Sequence, residues 1–370
     1  MRKLLVLGML VLSLTMLCSP AHAGIFPDVV DATGQPLTSS TPVTKVVCSG
    51  SGCLRLLTYI EAESLAVAVD DMEVKRAKFD TRPYALAHPE FKKLPIFGEF
   101  RGHDNPELIL SLEPQPEVIF KTYTSSMGYD PKELQLKTGI PVIVLDYGDL
   151  GENRQALFHS LRVMGRVTGK SQRAEEVIAF FESAIADLHK RTAHVAPSEQ
   201  QSVFVGGIAF KGPHGFQSTE PGYPPFEFVN AKNLAVQDSA GKCLKHSDVA
   251  KEKIVEWDPD CLFVDLSTLR LGDKANGVAE LKSDPAYQTL NAVKAGNVHG
   301  LLPYNWYTQN FGSILANAYF VGKVLYPALF SDVNPAEKAD EIYTFLVGRP
   351  VFEKLNNSFD NLAFQPVPVN

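Results

Sequence analysis

Cations and aromatic residues with polar tips gather in a set of short loops, and their types suit capture of a large anion better than covalent chemistry. Arg101, Lys121 and Lys211 are positioned by the pattern at strand ends, where each can meet a carboxylate or the net charge of an anionic complex. Tyr123, Tyr223, Trp306 and Tyr307 pair apolar bodies with hydrogen-bonding ends, which fits a partly apolar chelate, and Asn305 stands among them as a further candidate. His214 belongs to Lys211-Gly212-Pro213-His214-Gly215, where two glycines and a proline imply a shaped loop. A bare metal ion would instead recruit His103 and His214, with Glu220 and Asp265, although no His-x-His pair or His-rich loop gathers them. Catalysis has less support. The chain has no Gly-x-Ser-x-Gly elbow, no His-Glu-x-x-His helix and no Walker loop, and nothing designates a nucleophile or an acid–base pair. The expectation is a binding protein without catalytic residues or a cofactor.

The elements that must carry these loops are legible from apolar runs. Lys45–Cys48, Leu65–Val69, Glu117–Phe120 and Pro141–Leu145 read as short buried strands separated by helical stretches. Ser202–Val205, Cys261–Asp265 and Asn297–Leu301 repeat that grammar in the second half. Such alternation predicts an α/β fold with parallel sheets covered on both faces. Between the halves, Ala156, Leu157, Leu161 and Met164, then Val177, Ile178, Phe181, Ile185 and Leu188, fall at helical spacing. They predict a shorter helix and one of about 24 residues, roughly 36 Å long, as a spine between two lobes. Ligands of open α/β sheets sit outside the carboxyl ends of the strands, which places the site in the loops named above.

One internal match stands out. Glu107 to Phe120 and Glu252 to Phe263 each read as a helix, a proline turn and a strand, with two extra residues in the first turn. Each helix opens on a glutamate, where the dipole favours negative charge, and equivalent places on two lobes suggest a shared docking role.

Across 370 residues the composition is 45% hydrophobic and 21% charged, enough to bury full cores. The net charge is -7, without a Lys/Arg block, which argues against nucleic acid as a partner. Arg2-Lys3, the apolar run Leu4–Leu17 and Ala21-His22-Ala23 read as a secretory signal cleaved after Ala23, implying a periplasmic protein. Lipidation at Cys18 and a membrane anchor are the rival readings. Cys48, Cys53, Cys243 and Cys261 then permit two disulfides, with Cys48–Cys53 and Cys243–Cys261 the expected pairing among three possible.

The paired Glu…Pro…strand units, Leu94-Pro95-Ile96-Phe97-Gly98, Val142–Leu145, Leu302-Pro303-Tyr304-Asn305-Trp306-Tyr307 and Gly322-Lys323-Val324-Leu325-Tyr326-Pro327 follow one another in an order that resembles the substrate-binding proteins of ABC importers for iron complexes and cobalamin. The resemblance covers nearly all of residues 44–355 and rests on the order of elements rather than on one motif. It implies two Rossmann-like lobes with central, mainly parallel sheets, bridged by a long helix, and a ligand in the cleft between them. The expected organisation is a signal peptide over 1–23, an N-terminal arm over 24–43, lobes over 44–150 and 196–370, and a helical spine over 151–195. The resemblance also implies that Glu107 and Glu252 meet arginines on a membrane permease, which works with an ATPase. The implied ligand is a metal chelate, most of all a ferric siderophore, held by a monomer. A bare-metal binder and an exported ligand sensor are the alternatives.

Overall fold

The computed structural model describes residues 26–37, 42–75, 80–123, 128–239, 244–272 and 275–369. Its strands, in chain order, are β1 (Phe26–Val30), β2 (Pro36–Leu37), β3 (Val46–Ser49), β4 (Ala66–Asp70), β5 (Ile96–Glu99), β6 (His103–Asp104), β7 (Val118–Thr122) and β8 (Val142–Leu145) in the first half. The second half holds β9 (Ser202–Gly206), β10 (Ser218–Thr219), β11 (Lys232–Asn233), β12 (Ser247–Asp248), β13 (Cys261–Asp265) and β14 (Val298–Leu301). The apolar runs of β3, β8 and β13 are buried along their whole length, as strands covered on both faces must be.

Two main sheets result, in the orders β6-β5-β4-β3-β7-β8 and β11-β9-β13-β14. The second is parallel throughout. In the first, only the short β6 runs antiparallel to its neighbour. From β3 the chain steps outward to β4 and β5, then returns to the other side of β3 as β7. In the second lobe β11 and β13 flank β9. Each reversal opens a crevice at the carboxyl ends of the central strands.

The connecting helices are Arg154–Thr168, which ends at Gly169 in the left-handed conformation, and Ser171–Thr192. The second has 22 residues, about 33 Å at 1.5 Å per residue. It buries Ala174, Val177, Ile178, Phe181, Ala184, Ile185 and Leu188, the stripe that the spacing predicts. That stripe belongs to an apolar cluster running through both lobes, with Leu56 and Tyr59 from the first and Phe226 and Phe311 from the second. The Phe181 ring stands edge-on to Tyr59 at 6.1 Å and to Phe311 at 5.9 Å, so the helix is packed between the lobes. Separate clusters cover the far faces of the two sheets.

The disulfide expectation fails. Cys48, Cys53 and Cys261 are free, buried thiols. Cys48 and Cys53 face the apolar core, where the Cys53 thiol donates to the Phe120 carbonyl at 3.4 Å and burial holds the Cys48 thiol in its neutral form. Cys261 lies inside the central strand β13, walled off by its neighbours. Cys243, the signal segment and Cys18 fall outside the described residues.

Candidate functional site

Carboxyl ends of strands from both sheets meet between the lobes. Two adjoining cavities there, of about 360 and 330 Å³, share Ser51, Arg101, Lys211 and Thr308 in their walls and so form one cleft. Larger hollows of about 650 and 460 Å³ are walled by the first lobe alone, and one of about 400 Å³ lies between the Asp149–Asn153 turn and the second lobe at Glu220 and Lys245. The cleft is the better candidate because loops following β3, β5, β7, β8, β9 and β14 converge on it.

The same tripeptide type stands on each rim. Phe100-Arg101-Gly102 follows β5, and Phe210-Lys211-Gly212 lies in the loop after β9. In both, the cation takes a left-handed backbone, with φ of 62° at Arg101 and 56° at Lys211. Each head group stands over its preceding ring, at 5.2 and 5.3 Å from the centroid. Non-glycine residues in this region cost on the order of 1–3 kcal/mol and persist only where surrounding structure imposes them. The repeated Phe-cation-Gly was the sequence signal for Phe100 and Phe210, which sequence reasoning passed over.

A strap after β14 closes the cleft wall. Asn305 donates from Nδ2 to the Ala209 carbonyl at 2.9 Å, and the Arg270 guanidinium sits 3.9 Å from the Trp306 ring centroid. Tyr307 and Thr308 are again left-handed, with φ of 51° and 60°. The Tyr307 hydroxyl donates to Asp70 and accepts from the Arg101 backbone N–H at 3.1 Å, which ties the second lobe's strap to the first lobe. Burial pushes the Asp70 carboxyl up to about 7. Among the described residues no carboxylate pairs with Arg101, Lys211 or Arg270, while the exposed Asp146 contributes one negative charge to the wall.

Several expected residues go elsewhere. Tyr223 is fully buried: it precedes the helix Pro224–Phe228 and packs on Phe226 and Tyr304 inside the second lobe. Lys121 does not reach the cleft either. It is sealed beneath it in an ion pair with Asp104 at 2.5 Å and donates to Ser49 and to the Gly102 carbonyl. His214 lies in the rim loop but turns back, with Nε2 2.7 Å from the Phe210 carbonyl. His103 lies on the edge strand β6, beside the 650 Å³ hollow of the first lobe. Glu220 is buried against the Tyr304 hydroxyl and Asp265 caps the turn at Ser267, so the metal-ion set is dispersed. Among the described residues no group of three or more His, Cys, Asp or Glu is arranged to hold a metal. Tyr123, Asn305, Trp306 and Tyr307 do line the cleft. Glu107 and Glu252 are exposed, each in the first turn of the helix that leads into β7 or β13.

Comparison with known proteins agrees with this architecture. Over 314 residues the chain is 22% identical to an uncharacterised ABC transporter substrate-binding lipoprotein of Bacillus subtilis, covering 83% of this chain and 88% of that one. An iron-uptake system-binding protein of the same organism is 23% identical over 195 residues, covering 52% of this chain and 57% of that protein. Among solved structures, a molybdate periplasmic binding protein of Haemophilus influenzae superposes with a TM-score of 0.64 at 18% identity, over 87% of this chain and 98% of that one. The profile of the periplasmic binding protein family matches residues 89–304. Two lobes, a packed interlobe helix and that match together place the chain in the periplasmic binding protein family, as a substrate-binding protein of the ABC-transporter type.

Proposed function

We propose that the cleft captures an anionic metal chelate, a ferric siderophore or related iron complex, and that the protein delivers it as a monomer to an ABC permease and its ATPase. The observation that carries this reading is the pair of rims: Arg101 and Lys211 line one shared cleft, unpaired by carboxylates among the described residues and flanked by Phe100, Phe210 and Trp306. Charge supplies attraction, and the aromatic walls supply apolar area for an organic shell. The iron-uptake relative supports the choice of metal, while the molybdate-binding neighbour makes a bare oxyanion the competitor to test.

Delivery is proposed to use Glu107 and Glu252, which stand exposed at equivalent helix starts of the two lobes. Residues 1–23 are proposed to direct export. Closure on ligand is proposed to be small, on the order of a few degrees, because one apolar cluster runs through both lobes and the spine.

The test is native mass spectrometry of residues 24–370 with ferric citrate, a ferric catecholate, a ferric hydroxamate, haem, cobalamin, molybdate and free divalent cations. The expected result is the mass of one intact iron complex. Retention of molybdate or a bare cation alone would overturn the chelate reading.

A further inference from the structure

We infer that Arg55 is a positioning residue for the cleft: from the first lobe it clasps the second lobe's strap Trp306–Gln309 and holds the ligand-facing side chains of that strap in place. The inference rests on the reading of the cleft as the ligand site only for its consequence, not for the clasp itself.

Arg55 belongs to the helix Cys53–Tyr59, directly behind the Ser49–Gly52 turn, and is fully buried. One terminal nitrogen donates to the Tyr147 hydroxyl and to the Gln309 carbonyl at 2.9 Å. The other donates to the carbonyls of Trp306 at 3.2 Å and Tyr307 at 3.1 Å. The guanidinium plane also lies over the rings of Tyr84 and Tyr147, at 5.1 and 5.8 Å. All these acceptors are neutral, and among the described residues no carboxylate pairs with it. The buried Arg82 of the same lobe shows the usual solution, with Glu73 and Asp80 beside it. A buried charge without a counter-ion is costly. At Arg55 the planar fork gives something in return, because it alone collects three carbonyls of one strap.

The strap needs that help. Tyr307 and Thr308 both hold left-handed backbones, a conformation kept only where partners impose it. The carbonyls that Arg55 takes belong to residues 306, 307 and 309, bracketing the strained pair. Trp306, Tyr307 and Thr308 line the cleft on the other side. Arg55 itself lines neither cavity of the cleft. Its uncompensated charge nevertheless lies beneath the cleft and adds to the field of Arg101 and Lys211.

The chain has two tryptophans, Trp257 and Trp306, so Trp257→Phe leaves Trp306 as a reporter of the strap. In that background, and without ligand, Arg55→Met should shift Trp306 emission to the red and raise its acrylamide quenching about threefold as the strap opens locally. Arg55→Lys keeps the charge and loses the fork, so it should move Trp306 in the same direction by less. Tyr147→Phe removes one partner of Arg55 and the bond from Tyr147 to the Gln309 carbonyl, and should give a smaller shift still. Arg191→Met, which breaks a comparable network with Asp187 and Asp332 away from the cleft, should lower stability without moving Trp306. Unchanged emission and quenching in folded Arg55→Met would overturn the clasp. If that variant does not fold, unchanged values in both Arg55→Lys and Tyr147→Phe would overturn it instead. No ligand enters these measurements, so their failure is separate from failure of the chelate reading.

Discussion

The two rims carry the same tripeptide type on different foundations. Phe100-Arg101-Gly102 is fastened from below: the Phe100 N–H donates to Asp71 at 2.8 Å, and Lys121 donates to the Gly102 carbonyl at 3.0 Å. Lys121 is in turn fixed by Asp104, which also accepts from Ser49 at 2.6 Å. Phe210-Lys211-Gly212 is fastened from the surface. Phe210 is 38% exposed and its ring stacks on His246 at 4.2 Å, and the loop closes on itself through Phe210 N–H to the Gly212 carbonyl at 2.9 Å. A buried ion-pair network has few alternative arrangements, whereas a surface stack has many. If the cleft is the ligand site, as proposed, the first rim is the fixed jaw and the second the one free to adapt.

The largest effect should come from undermining the fixed jaw. Lys121→Met leaves Asp104 buried and unpaired, a change that costs about 3–5 kcal/mol when one partner of a sealed pair is removed. Burial already raises the Asp104 carboxyl despite the Lys121 charge, so the variant should hold Asp104 protonated. Urea unfolding should show the loss, and a further Asp104→Asn change should recover part of it. A Lys121→Met chain as stable as the parent would remove the contrast between the rims.

Buried carboxyls beneath the two rims give the next effect. Burial raises Asp70 and Asp265 to about 7 and Glu220 to about 8, each above its ordinary range. The folded chain then binds these protons more tightly than the unfolded chain. Their contribution to stability is full below about pH 4 and is lost as pH rises to about 8. Asp70 has a partner in Tyr307, whereas one oxygen of Asp265 has none. Asp265→Asn should therefore flatten the fall across that window, read as urea midpoints at its two ends. If midpoints rise with pH in the parent and are unaltered by the substitution, these groups are not held as the burial implies.

How much of this was legible in the sequence follows from range. The strands around Val46, Val142 and Cys261 and the stripe on Ser171–Thr192 were readable because apolar periodicity is a local signal. The two-residue β6 and β11 escaped because they carry too little pattern, and β5 escaped because Gly98 and Glu99 break the apolar run that marks the equally short β3 and β8. Arg101, Lys211, Asn305, Trp306 and Tyr307, which line the cleft, were placed by the rule that ligands of open α/β sheets sit at the carboxyl strand ends. Tyr223 satisfied the same rule and failed, because the turn at Pro224 rotates it into the core, which no spacing reveals. Lys121 read as a strand-end cation able to meet an anionic ligand until folding brought Asp104 to it, and nothing in the sequence singled out Arg55. Their partners lie 17 to 254 residues away along the chain. Long-range pairing of single polar groups leaves no periodic trace.

Charge removal at the rims should then separate the jaws in binding rather than stability. For an anionic iron complex that binds, Arg101→Ala and Lys211→Ala should each weaken affinity by roughly 1–2 kcal/mol, or about 5- to 30-fold, with a shallower salt dependence. Arg101 sits on fixed backbone and its fork suits carboxylate or catecholate oxygens, so its loss should be the greater. Equal and negligible losses by titration calorimetry would remove the case for an anionic ligand.

The smallest effect tests the adaptable jaw itself. His246→Ala removes the ring under Phe210 and the contact with Ser218 at 3.0 Å. Stacked pairs contribute about 0.5–1.5 kcal/mol, and the exposure of Phe210 puts this one at the lower end. Stability should therefore change little. The binding enthalpy and entropy should still move against each other, because an unsupported Phe210-Lys211-Gly212 must be ordered by the ligand. Asp71→Ala, which removes the acceptor for the Phe100 N–H on the opposite rim, should reduce affinity more than His246→Ala does. The reverse order would mean that the second lobe carries the fixed jaw, and that the buried Lys121–Asp104 pair supports the fold without governing the cleft.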